Sequence, residues 1–142
     1  MEDILKIGDD AYGFPEKNKV KTLDTNIFET ERMGAILDGI IDKLERMVPP
    51  GRTMALMNPD QRKAAREELI NARDLYSEFA YRYDECIEKG QPLVDAPALS
   101  DEVQSMTMEK ILKLSDFNER LGDRLTVLAI RMGAEADGSS AT

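Results

Sequence analysis

The residue types that most often carry catalysis or bind metal ions are scarce in this sequence, which has no histidine and a single cysteine, Cys86. Without histidine the chain cannot form a Ser-His-Asp or Cys-His relay, a 2-His-1-carboxylate iron site or the Glu-x-x-His di-iron pattern of helical bundles. One cysteine makes no internal disulfide and supplies only one of the roughly four ligands of a structural zinc site. Phosphate-binding glycine loops and EF-hand calcium loops are also absent. We therefore predict no metal, no cofactor and no catalytic residues.

Glu68 is the carboxylate that most resembles a functional group, because it falls inside the apolar face of a predicted helix. A buried carboxylate has a raised pKa or needs a cationic partner. No second catalytic group can be named beside it, so we interpret Glu68 as one side of a salt bridge or as an exposed residue at the end of a bundle. Cys86 lacks a general base, and we expect it to pack as a small hydrophobic residue. Two acidic clusters could hold Mg²⁺ but are interpreted as solvated surface groups, namely Asp9-Asp10 and Asp84-Glu85-Glu88.

Three long stretches of the sequence place apolar residues at the three- and four-residue steps of an amphipathic helix. The first predicted helix covers residues 25–48 and is stopped by a Pro-Pro-Gly sequence. The second begins with Asn58 as its N-cap, has Gln61 at the spacing of a capping box, and ends at Gly90. The third begins after Ser100 and ends at Gly133, with no phase shift in between. These segments predict an all-α, antiparallel three-helix bundle of long helices.

The predicted core consists of the apolar residues that share a face of each helix. In chain order they are Met33, Ile36, Leu37, Ile40, Ile41, Leu44, Met47, Val48; Ala64, Ala65, Leu69, Ala72, Leu75, Tyr76, Phe79, Ala80, Tyr83, Cys86, Ile87; and Val103, Met106, Ile111, Leu114, Phe117, Leu121, Leu125, Leu128, Met132.

Residues 1–24 do not fit the helical pattern and are predicted to form an extended N-terminal arm. Glycine and proline interrupt this segment, and Val20 and Leu23 alternate with polar residues as in a strand. Tyr12 and Phe14 would anchor the arm, which packs on its own bundle, reaches a neighbouring molecule or stays disordered. The three-helix bundle then covers residues 25–133, and residues 134–142 form a flexible tail.

Several apolar residues lie off the predicted core faces and would point outward from the second and third helices. Isolated exposed apolar residues are ordinary, but two such sets on long helices favour burial against another chain, identical or different. The candidate partner-binding residues are Met108, Leu112, Val127 and Ile130 on the third helix, Ile70 and Tyr81 on the second, and Tyr12 and Phe14 on the arm.

The charge of −9, from 28 acidic and 19 basic residues, is spread along the chain. It disfavours direct binding to nucleic acid or to anionic membranes, which repel a protein of this sign. The chain starts with MEDILKIGDD, which is not a signal peptide, so we expect a cytoplasmic protein. The favoured function is a non-enzymatic adaptor, an assembly or secretion chaperone, or a subunit of a larger complex. The alternatives are an acidic inhibitor of the type encoded by mobile elements, which occupies a basic or nucleic-acid-binding site, and an enzyme with an unrecognised carboxylate-based site.

Overall fold

The computed structural model describes residues 15–48 and 57–133, and 90% of these residues are helical, with no strand among them. Three helices pack against each other: α1 (Pro15–Met47), α2 (Pro59–Val94) and α3 (Asp101–Arg131). The prediction of an all-α three-helix bundle is confirmed. The predictions for the first part of the N-terminal arm, residues 1–14, and for the tail, residues 134–142, lie outside the described residues.

The chain divides into two compact units, and each helix contributes to both. The first unit contains Met1–Glu31 and Tyr81–Asp116, and the second contains Arg32–Ala80 and Phe117–Thr142. In the second unit α2 is antiparallel to α1, since Lys43 contacts Glu68 while Gly34, earlier in α1, lies against Phe79, later in α2. The α3 helix is parallel to α1, because Arg124 contacts Asp38–Glu45 while Arg131, two further turns along, donates to the carbonyl oxygen of Val48 at 2.9 Å.

The α1 helix begins at Pro15, so the prediction of an extended arm over residues 15–24 is wrong. Proline fits the first helical position, where its missing N–H has no helical acceptor. Leu23 and Ile27 are buried in the first unit and lie four residues apart, so the step from Val20 to Leu23 is helical and not an alternating strand pattern. Thr30 hid this continuity in the sequence, because a polar residue breaks the apolar stripe although its side chain is buried.

The α2 helix continues past Gly90 and Pro92 to Val94, so its predicted end at Gly90 is also wrong. Gly90 is buried because Ile111 of α3 packs against it, and a Cβ there would overlap the Ile111 side chain. Pro92 lies in the last helical turn, where the loss of one N–H donor affects only the end of the helix. The predicted caps are confirmed: Asn58 and Gln61 exchange side-chain to backbone hydrogen bonds, and Ser100 accepts one from Val103.

Most of the predicted core is buried, but Ile36, Ala64 and Met106 are exposed, contrary to the prediction. Each of these residues precedes a buried neighbour in the chain, and successive residues of a helix differ in direction by about 100°. The predicted apolar faces were therefore too wide at their edges. The buried hydrophobic residues of the second unit are Leu37, Ile41, Leu44, Val48, Ala65, Leu69, Ala72, Phe79, Leu121, Leu125, Leu128, Ala129 and Met132.

Candidate protein-interaction surface

Nine large apolar side chains lie at the surface of the described residues, with exposed fractions between 40% and 64%. Six of them were predicted from their positions off the core faces, and the structure places all six at the surface. Their binding of a partner stays a prediction. The other two predicted contacts, Tyr12 and Phe14, lie outside the described residues. The nine residues are Phe28, Ile36, Ile70, Tyr81, Met106, Met108, Leu112, Val127 and Ile130.

Three of the nine were missed from the sequence: Phe28, Ile36 and Met106. Ile36 and Met106 were assigned to the core because they are apolar and lie beside its edge. Phe28 had no assignment, although it precedes the exposed Arg32 by four residues and so shares its side of α1. That spacing is the sequence signal that could have identified an apolar surface on α1.

In the first unit, Met108 and Leu112 are one helical turn apart on α3 and lie beside Val94 of α2. Together with polar neighbours they line a shallow groove of about 400 Å³. Side chains four residues apart on a helix are neighbours, so these two residues present one small apolar surface.

In the second unit, α3 exposes Glu119, Asp123, Val127 and Ile130, which we call the α3 surface. These residues follow one another at steps of four, four and three, so they lie along one side of the helix. The second half of this surface is apolar, and the first half carries two acids beside one exposed cation, Arg120, which lies seven residues before Val127 and so on the same side of the helix. The outward apolar residues of α3 are therefore not continuous, since the exposed acids separate Leu112 from Ile130.

In the same unit, α1 exposes Arg32, Ile36, Gly39, Lys43 and Arg46, which we call the α1 surface. The steps of four, three, four and three again place the residues along one side of the helix. No acidic residue belongs to it. A Cβ on Gly39 would have no atom within 4 Å, so nothing in the described part of the chain packs against this glycine.

Arg124 fixes α3 to α1 beside these surfaces by binding three carboxylates of α1. Its guanidinium contacts Asp38, and its Nη2 lies 2.6 Å from Asp42 Oδ1 and 2.6 Å from Glu45 Oε1. Partial burial alone would lower the pKa of Arg124, but the hydrogen bonds to Glu45 and Asp42 and the charges of Glu45 and Asp38 raise it above its ordinary value. Arg124 therefore stays protonated and holds two of the helices in a fixed alignment.

Glu68 is paired with a cation, as the salt-bridge interpretation predicted. Its Oε2 lies 3.2 Å from Lys43 Nζ, and the side chains of Glu68 and Lys43 are 20% and 57% exposed. The pair connects α2 to α1 at the rim of the α1 surface. Such an exposed pair contributes little to the free energy of unfolding, so its main effect is to hold the two side chains next to each other.

Cys86 is buried in the first unit, and its predicted role in packing is confirmed. Its sulfur lies 3.8 Å from Thr30 Oγ1, whose hydroxyl donates to the carbonyl oxygen of Asn26 at 2.7 Å. Burial raises the pKa of the Cys86 thiol, an effect that outweighs the opposing influence of the Thr30 hydrogen bond. A protonated, enclosed thiol is a poor nucleophile.

The remaining concave surfaces are open grooves. One of them, of about 500 Å³, lies in the first unit, where Thr22 of α1 faces Lys89 and Leu93 of α2. Residues 15–48 and 57–133 contain no group of three or more Cys, Asp or Glu side chains arranged to hold a metal ion. None of the helices has the length and apolar character needed to cross a bilayer, among the residues that could be searched.

Comparisons with known proteins give no family for this arrangement. No protein-family model, no curated protein and no solved structure matches the chain.

Proposed function

We propose that the chain is a non-enzymatic, cytoplasmic interaction protein that acts as an adaptor, an assembly or secretion chaperone, or a subunit of a larger complex. The observation that carries this proposal is the exposure of large apolar side chains on all three helices. A scattered apolar side chain is common on protein surfaces, but apolar residues grouped with polar neighbours on successive helical turns are typical of binding surfaces.

The surroundings of the two most reactive candidates support a non-catalytic role. Glu68 is neutralised by Lys43, and Cys86 is enclosed in the core with a raised pKa. The neighbour of Glu68 is the Lys43 ammonium, and the neighbour of Cys86 is the Thr30 hydroxyl. Neither neighbour is the general base that a catalytic acid or a nucleophilic thiol would work with. An enzyme with a carboxylate-based site remains the third-ranked alternative.

An acidic inhibitor is the second candidate, and one observation favours it. Within the second unit, the exposed acids of α3 at positions 119 and 123 are four residues apart, so their charges lie on one side of the helix. A row of carboxylates can occupy a basic or nucleic-acid-binding site on a target. This function predicts capture of a basic protein that is released by a moderate increase in salt.

The test is a comparison of the tagged parent chain with the Leu112→Lys, Ile130→Lys double variant. Both residues are more than half exposed, so the variant should keep its helical content. Bound proteins are recovered from host lysate and identified, and their amounts should fall strongly in the variant because a charge in a desolvated contact is costly. Asn71→Lys with Ser77→Lys is the matched control, since it adds the same charge at exposed polar positions of α2.

Unchanged partners in the double variant would show that these residues are simply exposed. Loss of helical content would show that they support the fold. In either case the apolar surface would not be a binding surface, and the proposal would fail.

A further inference from the structure

We infer that the partner is a second copy of this chain, and that the α1 surface of one copy binds the α3 surface of the other. The inference rests on the proposed interaction function and names the partner. Both surfaces belong to the second unit, both are exposed, and their charges are opposite.

The α1 surface carries three positive charges in a protein whose net charge is −9. Arg32 and Arg46 have no ion pair with any residue of the described ranges, and Lys43 contacts Glu68 while its side chain stays 57% exposed. Between these cations lie Ile36 and Gly39. The surface therefore combines two cations that have no ion pair in the described ranges, and a third that is paired with Glu68, with an apolar side chain and an open backbone position.

The α3 surface has the opposite charge and a matching apolar part. Glu119 and Asp123 have no ion pair with the described part of the chain, and both are exposed. Val127 and Ile130 follow them directly, with exposed fractions of 54% and 60%. Because the net charge of the protein is −9, two copies repel each other on average, and a contact is favoured where acidic residues meet the basic α1 surface.

The residue spacing of the two surfaces agrees in the antiparallel orientation. On the α1 surface, the residues after Ile36 follow at intervals of three, four and three positions. On the α3 surface, read backwards from Ile130, the intervals are three, four and four positions. Aligned in this way, apolar residues face apolar or small ones, and two of the three cations, Lys43 and Arg46, face an acid. The facing pairs are Ile36 with Ile130, Gly39 with Val127, Lys43 with Asp123, and Arg46 with Glu119.

Gly39 supports this alignment independently of charge. Glycine disfavours the interior of a helix, and here no packing within the described residues requires it, since a Cβ would have open space. A helix of a second copy approaches most closely where the side chain is absent, and Val127 would fill that space.

A copy that uses its α1 surface still has its α3 surface available. Two copies can therefore close a symmetric dimer through two such contacts, or association continues into a ring or a longer assembly. This property makes the proposal testable by mixing, because blocking one surface on each copy stops the association at a single contact.

The experiment uses sedimentation velocity over a range of protein and salt concentrations. The parent chain should associate as its concentration rises, and less so in high salt. Ile36→Asp and Ile130→Asp should each weaken self-association at least tenfold. When the two variants are mixed, each supplies the surface that the other lacks, and a one-to-one dimer should form without larger species.

Charge exchange tests the alignment and does not depend on apolar substitutions. Arg46→Glu and Glu119→Arg should each weaken association, and the chain with both substitutions should recover it. Asn71→Asp is the matched control, because it adds the same charge at an exposed position on α2 of the same unit that belongs to neither surface. Circular dichroism of each variant checks that the fold is retained.

A parent chain that stays monomeric at all concentrations would overturn the inference. So would an Asn71→Asp effect equal to that of Ile130→Asp, or the absence of a heterodimer in the mixture. If the monomeric parent still retains a different protein through Ile130, only this inference fails. If it neither self-associates nor retains a partner, the proposed function fails as well.

Discussion

Gly34 and Gly39 lie five residues apart on α1, and their different surroundings lead to opposite expectations for the same substitution. At Gly34 a Cβ would lie 2.5 Å from Phe117 Cε2 and 2.7 Å from Phe79 Cε1, whereas at Gly39 it would meet nothing within 4 Å. Gly34→Ala should therefore destabilise the protein by about 1–3 kcal/mol through overpacking. Gly39→Ala should stabilise it by roughly 0.4–1 kcal/mol, because alanine loses less backbone entropy in a helix.

Urea unfolding of both variants at low protein concentration measures the two free energies without interference from association. Effects of equal sign would contradict the packing of Phe79 and Phe117 against α1 as described.

Cys86 predicts how stability changes in alkaline solution. Burial raises the pKa of the folded thiol above that of the unfolded thiol, which is about 8.5. The unfolded chain therefore loses this proton first, so the stabilising contribution is complete below about pH 8.5 and is lost as the pH rises towards the folded-state pKa. The free energy of unfolding should fall more steeply between pH 8 and 10 for the parent than for Cys86→Ala. Parallel slopes would exclude the thiol as a source of the change.

Single residues also show where sequence-based prediction succeeds and where it does not. The capping box at Asn58 and Gln61 was predictable because its partners are three residues apart and its hydrogen bonds are local. Gly90 was not, since glycine marks a helix end and also permits close packing, and only the position of Ile111 decides between them. A salt bridge was one of the two interpretations of Glu68 and is the one observed, but the sequence could not identify its partner on another helix.

At the scale of whole helices, the alignment of α1 with α3 depends on Arg124. Arg124→Gln leaves Asp38, Asp42 and Glu45 close together without their shared cation. We expect a loss of about 1–2 kcal/mol in the free energy of unfolding, discounted for the partial exposure of these groups, and a smaller loss in high salt.

Lys113→Gln is the control for this prediction. Lys113 pairs with Glu109 at 3.3 Å within α3, and both side chains are more than 60% exposed. Its removal should change stability by less than about 0.5 kcal/mol. Equal effects at 113 and 124, measured by denaturant unfolding at two salt concentrations, would show that Arg124 does not fix the helix pair.

Helix number, helix order and the starting caps of α2 and α3 could be predicted from the sequence, while the start of α1, the helix lengths and the exact surface could not. Thr30 interrupted the apolar pattern of α1 and concealed its first ten residues, although its hydroxyl is satisfied by a backbone carbonyl within the helix. The separate α1 and α3 surfaces emerged only when exposure was known, because Ile36 is as apolar as its buried neighbour Leu37.

For the molecule as a whole, helix should dominate the solution spectrum. The helices of 33, 36 and 31 residues make up about seven-tenths of a chain of 142 residues. Far-ultraviolet circular dichroism should therefore report at least about 65% helix. A value below half, or a spectrum dominated by sheet, would contradict the bundle.

The function of the molecule could be predicted only as a class. A bundle of helices is compatible with many activities, and the properties that select a partner belong to surface residues on different helices. The acidic net charge was visible in the sequence, but the basic side of α1 was not, because its cations are separated in the chain by acids that lie on other sides of the helix.

Because three carboxylates share Arg124, substitutions on the two sides of this contact should not be equally tolerated. Three acids of α1 depend on one arginine, so a change at position 38, 42 or 45 leaves two carboxylates in place to hold it. A change at position 124 removes the cation that contacts all three carboxylates in the described part of the chain. Mutational tolerance at this contact is thus unequal, because the acidic side has three members and the basic side has one.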